Sequence, residues 1–207
     1  MLSTLSRAGP RVLPFAMEDP LLWRERGRAL VARCGIFDLI RAQRVARDGR
    51  PGSFYVLEAP GWVNVVPVLP GGRFLMVRQY RQGLERITLE FPAGLVEAGE
   101  EPARAASREL EEETGRRADS LKPIGRVAAN PAFMNNWCST FCAEGLGEAG
   151  AMRPDELEHI EVVEVARAEL AEKIGTGEFV NSMTVVAWCW YLRYRGKGRP
   201  GGRGEAR

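Results

Sequence analysis

Apolar positions along this chain recur more often at strand spacing than at helix spacing. The segments 29–46 (ALVARCGIFDLIRAQRVA) and 53–59 (SFYVLEA) alternate as strands, with DGRPG (48–52) between them as a turn. The segment 62–80 (WVNVVPVLPGGRFLMVRQY) predicts a hairpin, two β-rich runs joined by Pro-Gly-Gly. ITLEFPAGL (87–95) predicts a further strand, ended by Pro92 and Gly94. The clearest helix is 100–115 (EEPARAASRELEEETG), with Pro102 in its first turn, Gly115 at its C-cap and an apolar stripe of Ala103, Ala106 and Leu110. Strands follow at 121–129, 137–145 and 159–166, and two closing helices at 167–177 and 181–194. Strands outnumber helices and do not alternate with them regularly. The fold class expected is therefore α+β, a mixed sheet enclosed by helices, and no GxGxxG or Walker A sequence is present.

Composition narrows this picture only a little. The apolar and charged fractions, 45% and 27%, are those of an ordinary globule of 207 residues, and the formal charge of +2 argues neither for nor against a nucleic-acid partner. The basic residues concentrate in a Gly-rich C-terminal stretch expected to be a disordered tail. No apolar run is long enough to span a membrane, Arg7, Pro10 and Arg11 interrupt the leader, and Met17 is a second candidate start. The four cysteines (Cys34, Cys138, Cys142, Cys189) show no zinc spacing, so buried thiols in a reducing cytoplasm are expected. A single histidine, His159, disfavours Ser-His-Asp or multi-histidine metal chemistry; entering a strand, it is expected to be structural or exposed.

The remaining chemistry lies in carboxylates. RELEEETG (108–115) places Glu109, Glu112 and Glu113 three and four residues apart, on one face of a helix. Two carboxylates about 5.5 Å apart repel by ~3 kcal/mol at an effective dielectric near 20. A hard divalent cation reverses that sign, because Mg²⁺ or Mn²⁺ prefers oxygen ligands and bridges phosphates. Glu111 points elsewhere on the helix and is expected to be solvated.

The segment 94–116 (GLVEAGEEPARAASRELEEETGR) resembles the Nudix box, G-x5-E-x7-R-E-U-x-E-E-x-G-U, with U a bulky aliphatic residue. Gly94, Glu100, Arg108, Glu109, Leu110, Glu112, Glu113 and Gly115 match at the required spacing; only Arg116 departs, at a position that packs the helix end. VRQYR (77–81), LEFPAGLVEAGE and Pro131 further resemble the ADP-ribose and nucleoside-diphosphate-sugar pyrophosphatase subgroup, over about residues 37–191.

The resemblance implies an α/β/α Nudix sandwich with an N-terminal antiparallel β extension that forms a homodimer. It implies a metal site for Mg²⁺, with Mn²⁺ as an alternative, made by the Ala93 carbonyl, Glu109, Glu113 and Glu112, with Glu100 nearby. Arg108 would hold a glutamate rotamer. Arg81, and less well Arg78, would grip phosphate through the planar guanidinium fork. Glu158 would act as base, with Glu156 and Glu161 as alternatives. Phe37 and Trp62 are candidate platforms for a base, whereas Trp188, Trp190 and Tyr191 are expected to be packing residues. The organisation expected is a flexible leader (1–18), the β extension (19–60), the Nudix domain (61–195) and the basic tail (196–207). The activity implied is Mg²⁺-dependent hydrolysis of the pyrophosphate of ADP-ribose or a related nucleoside diphosphate sugar. The alternatives are a MutT-type nucleoside triphosphate pyrophosphohydrolase, against which the N-terminal extension and Pro131 speak, and a non-catalytic nucleotide-sugar-binding module, against which the full set of glutamates speaks.

Overall fold

The computed structural model describes residues 19–154 and 157–197. The expected leader (1–18) and residues 198–207 of the expected tail lie outside the described residues, and Gly196 and Lys197 belong to the last helix rather than to the tail.

Three strands open the described chain: β1 (Trp23–Arg33), β2 (Asp38–Ala46) and β3 (Pro51–Glu58), an antiparallel sheet in that order. The apolar run 29–46 is thus two strands, not one. Cys34 N donates to the Phe37 carbonyl (2.9 Å) and Gly35 takes φ 74°, a turn whose left-handed residue favours glycine.

The core contains two further sheets. One has the order β7-β4-β9-β8, built from β4 (Trp62–Pro67), β7 (Ala93–Leu95), β8 (Arg116–Ala128) and β9 (Trp137–Glu148). In it β4 and β9 are parallel and the other pairings antiparallel. The other has the antiparallel order β10-β5-β6, from β5 (Phe74–Arg81), β6 (Arg86–Glu90) and β10 (Ile160–Val165). The hairpin expected over 62–80 does not form: β4 and β5 lie in different sheets, and the only backbone pairing between the two runs among the described residues is the isolated Val68–Phe74 bridge just beyond β4. The physical reason is that β4 is buried from Val63 to Pro67, which suits a central strand flanked on both sides. The Pro70–Gly72 turn then carries the chain across to the second sheet.

Helix α1 (Pro102–Thr114) closes one face of the first sheet. Val63 and Val65 of β4 and Phe141 and Ala143 of β9 pack with Ala105, Ala106 and Leu110 of the helix. Ala105 rather than the expected Ala103 lies on the buried face, because that face runs through 106, 109, 110 and 113 at helical spacing. Gly115 ends the helix at φ 65°, its N–H donating to the Glu111 carbonyl. A second core fills the space under α2 (Arg167–Lys173) and α3 (Ser182–Lys197), joining Val66, Phe74, Met76, Phe91, Trp188 and Tyr191. Trp190 lies against Gly125, where β8 bulges and a side chain would collide with the indole. Cys138 and Cys142 are buried, and burial pushes their thiols up to about 11 and about 12. Cys34 and Cys189 are exposed, correcting the expectation of burial for a thiol on α3. No helix among the described residues is long and apolar enough to cross a membrane.

Candidate active site

Strand β7 and helix α1 face each other at the point where backbone and carboxylates come closest. Gly94 of β7 pairs with Val63, whose side chain packs toward α1, so the missing side chain of Gly94 also faces α1. A Cβ at Gly94 would fall 2.0 Å from Cδ of Glu109. The glycine is therefore needed for close approach, and the carboxylate fills the space that any side chain would take. One turn on, Glu113 is 2% exposed and its Oε2 accepts from the Ala93 N–H at 3.0 Å. Burial pushes Glu113 well above the ordinary carboxylate range, aided by the charges of Glu109 and Glu158. Burial raises Glu109 as well, against the pull of Arg108.

Arg108 organises the outer side of this cluster. Its Nη1 donates to Glu109 (2.8 Å) and Glu112 (2.9 Å), its Nε and Nη2 to Glu100 (3.2 and 3.1 Å), and its Nη2 to the Leu95 carbonyl (2.9 Å). Glu100 is held below the usual carboxylate range chiefly by that guanidinium. Glu111 is not simply solvated as expected: it lies 3.5 Å from Arg153 and 3.8 Å from Arg117. The Arg153 backbone N–H also donates to the Glu112 carbonyl, tying the chain after β9 to the end of α1. These groups line an open cleft of about 510 Å³ that includes Glu100, Arg104, Arg108, Glu112 and Arg153. Arg116, the departure from the box, begins β8, and its N–H donates to Thr114 Oγ1 (3.2 Å).

The two candidate arginines of β5 part company because strand side chains alternate. Arg78 falls on the side of Phe74 and Met76, away from α1, and is engaged by Glu178 (2.8 Å) and Glu161 (3.0 Å). Arg81 falls on the α1 side and is electrostatically coupled to Glu113 and Glu158. Its guanidinium grips Glu90 through Nε (2.9 Å) and Nη2 (2.7 Å). Glu90 is 2% exposed and has no counterpart in the sequence reading. The available signal was a lone acid in an apolar strand, ITLEF.

Glu158 lies in the connection before β10, near enough to Glu109 and Glu113 to raise both. Glu161 pairs with Arg78 across the β10–β5 register and points away from α1; Glu156 lies outside the described residues. His159 is exposed. Trp62 is half-buried at the start of β4, opposite Leu95 and Cys138, on the face turned away from α1. Phe37 closes the β1–β2 turn, and no contact among the described residues brings it to the carboxylates.

Whether these groups fit a divalent cation follows from their chemistry. No three acidic, His or Cys side chains among the described residues already converge tightly enough to hold one, and the Arg108 Nη1 stands between Glu109 and Glu112. The donor set is nevertheless all oxygen, Glu109 and Glu113 are desolvated, and Gly94 lets the Glu109 carboxyl come up against the backbone of β7. That set suits a hard cation such as Mg²⁺ and disfavours a soft one.

Comparison with known proteins adds four findings. The NUDIX domain profile matches residues 61–183. The chain is 37% identical over 141 residues to an ADP-ribose pyrophosphatase of Bacillus subtilis (strain 168), covering 68% of this chain and 76% of that protein. It is 33% identical over the same length, with the same coverage of each, to a methanol dehydrogenase activator of Bacillus methanolicus. Its fold is similar to the crystal structure of an ADP compounds hydrolase, with a TM-score of 0.76, 23% identity, and coverage of 88% of this chain and 100% of that one.

Proposed function

The chain belongs to the Nudix hydrolase family, and from that premise we propose that it hydrolyses the pyrophosphate bond of ADP-ribose or a related nucleoside diphosphate sugar. Water adds to one phosphorus, the bridging P–O bond breaks, and the products are a nucleoside monophosphate and a sugar phosphate. The observation that carries the reading is the pair of desolvated carboxylates, Glu109 and Glu113, pressed against a strand that lacks a side chain at Gly94. The family to which the chain belongs gives that cluster its chemistry, and the name of the Bacillus subtilis relative gives the substrate class.

The residues that would hold Mg²⁺, or Mn²⁺ in its place, are the Ala93 carbonyl, Glu109, Glu112 and Glu113, with Glu100 close by. Bound there, the cation would neutralise the diphosphate and acidify a water. Arg108 keeps Glu100, Glu109 and Glu112 within one hydrogen-bonded group. Glu158 takes the proton of the attacking water, and its place in a connecting segment suits a base that acts after substrate enters. Arg81 orients the diphosphate; Arg78, engaged on the opposite face, has no part in this step. Trp62 and Phe37 remain candidates for stacking the base.

The N-terminal extension (19–60) serves as the dimer surface in this reading. Its sheet and the β1–β2 turn expose Trp23, Leu30, Val31, Ile36 and Tyr55, an apolar set unusual for a monomer surface. Light scattering at twice the monomer mass tests it, and a monomer at micromolar concentration refutes it. Unpaired cysteines at all four positions accord with a cytoplasmic enzyme.

The activity is tested with a panel of ADP-ribose, other nucleoside diphosphate sugars and deoxynucleoside triphosphates, with Mg²⁺ or Mn²⁺. Turnover of the diphosphate compounds, with monophosphate products, is expected. Turnover confined to the triphosphates refutes the substrate assignment and favours the MutT-type alternative. Saturable binding without turnover favours the binding module.

A further inference from the structure

Arg81 has a long, flexible side chain, and an unrestrained arginine would lose much freedom on gripping a phosphate. Here that freedom is already removed. Glu90, at the end of β6, is buried, and it accepts from Arg81 Nε (2.9 Å), Arg81 Nη2 (2.7 Å) and Thr88 Oγ1 (2.6 Å). Asn181, just before α3, also helps to lower Glu90, and its Oδ1 accepts the Met183 N–H (2.8 Å). The carboxylate is thus fixed by hydrogen bonds from both β5 and β6. Burial alone would raise Glu90, yet the guanidinium draws it below the ordinary carboxylate value. The third guanidinium nitrogen of Arg81, Nη1, makes no hydrogen bond among the described residues, although Arg81 is electrostatically coupled to Glu113 and Glu158.

We infer that Glu90 is a positioning residue of the diphosphate subsite. It holds two of the three guanidinium nitrogens of Arg81, so that the remaining one is presented, pre-oriented, to the phosphate oxygens of the substrate. The inference rests on the proposed diphosphate hydrolysis and assigns a role to a residue outside the Nudix box. A second use of the same pair, merely joining β5 to β6, would leave substrate affinity independent of it.

A double-mutant cycle separates the two. Steady-state kinetics are measured on wild type, Glu90→Gln, Arg81→Ala and the double variant, with thermal midpoints alongside. The substrate is ADP-ribose, or whichever diphosphate compound wild type hydrolyses. Glu90→Gln keeps the shape of the side chain and loses the charge. It is expected to raise KM about tenfold with kcat within a factor of three, a change of about 1.4 kcal/mol. In the Arg81→Ala background the same substitution is expected to have no further effect on kcat/KM. Multiplicative effects, or an unchanged KM in Glu90→Gln, overturn the inference while leaving the activity in place. Should Glu90→Gln fail to fold, Arg81→Lys decides the matter. Lysine keeps the charge without the fork, so its KM is expected to rise as far as that of Arg81→Ala, and a wild-type KM overturns the inference. Absence of hydrolysis of every diphosphate compound by wild type refutes both the function and the inference.

Discussion

Replacing Gly94 by alanine tests how far the site depends on backbone approach. The glycine does not occupy the left-handed region, so alanine adopts its backbone without strain. The closest conflict is with the carboxyl of Glu109, whose Cδ, Oε1 and Oε2 would lie 2.0, 2.1 and 2.3 Å from the new Cβ. Carbon atoms in contact sit about 3.5–4.0 Å apart, so the carboxyl must retreat by roughly 1.5 Å. Being the end of a flexible side chain, it can do so at small cost to the fold, and the thermal midpoint is expected to shift little. The chemistry has no such tolerance: a displacement of about 1 Å costs on the order of 100-fold in rate, or ~2.7 kcal/mol of barrier. Gly94→Ala should therefore fold as wild type, bind Mn²⁺ more weakly by calorimetry, and turn over ADP-ribose about 100-fold more slowly at fixed Mg²⁺. Turnover within threefold of wild type would refute the reasoning, because Glu109 would then be shown to work without the space that Gly94 leaves.

Two further outcomes follow from the same geometry. Glu158→Gln is expected to lower kcat by about 10²–10⁴ with Mn²⁺ affinity nearly unchanged, the usual contribution of a general base. Wild-type turnover of that variant at saturating metal sinks the assignment, and Glu161→Gln, on the far face of the sheet, should stay near wild type. Acid stability reports on Glu90: its folded pKa lies below the ordinary value of 4.5, so the unfolded chain binds more protons across that interval. Its contribution is then complete above about pH 4.5 and lost as pH falls through the folded pKa. The thermal midpoint of Glu90→Gln should decline less steeply than that of wild type below pH 4.5, and parallel slopes contradict the ion pair.

The parts of the molecule that could be read from the sequence are those set by local spacing. The box from Gly94 to Gly115 is such a part: Pro102 and Gly115 bound the helix, and helical periodicity alone places Glu109 and Glu113 on one face. Strand pairing was less accessible, because it is decided by distant partners. The run 62–80 has the local signature of a hairpin, yet β4 is better satisfied between β7 and β9 than beside β5. Gly35 marked the turn inside 29–46, but the apolar alternation on both sides masked it. Among the site residues, Arg81 had a motif to signal it and Glu90 had none. A glutamate in a strand acquires meaning only from the register that sets Thr88 and Glu90 on the Arg81 side. Glu111 likewise looked solvated until the chain after β9 folded back to bring Arg153 beside it.

In the proposed mechanism the carboxylates of α1 form a cation cradle that is unfavourable while empty. The most direct test is the thermal midpoint of wild type and Glu113→Gln, each with and without Mn²⁺. A glutamine can still accept the Ala93 N–H but carries no desolvated charge. Without metal, Glu113→Gln is predicted to melt above wild type at neutral pH. At a Mn²⁺ concentration of about 100 Kd, wild type should gain ~2.7 kcal/mol, a rise of about 5–10 °C, and the variant almost nothing. A variant that melts below wild type without metal and keeps the full Mn²⁺ response would contradict the claim.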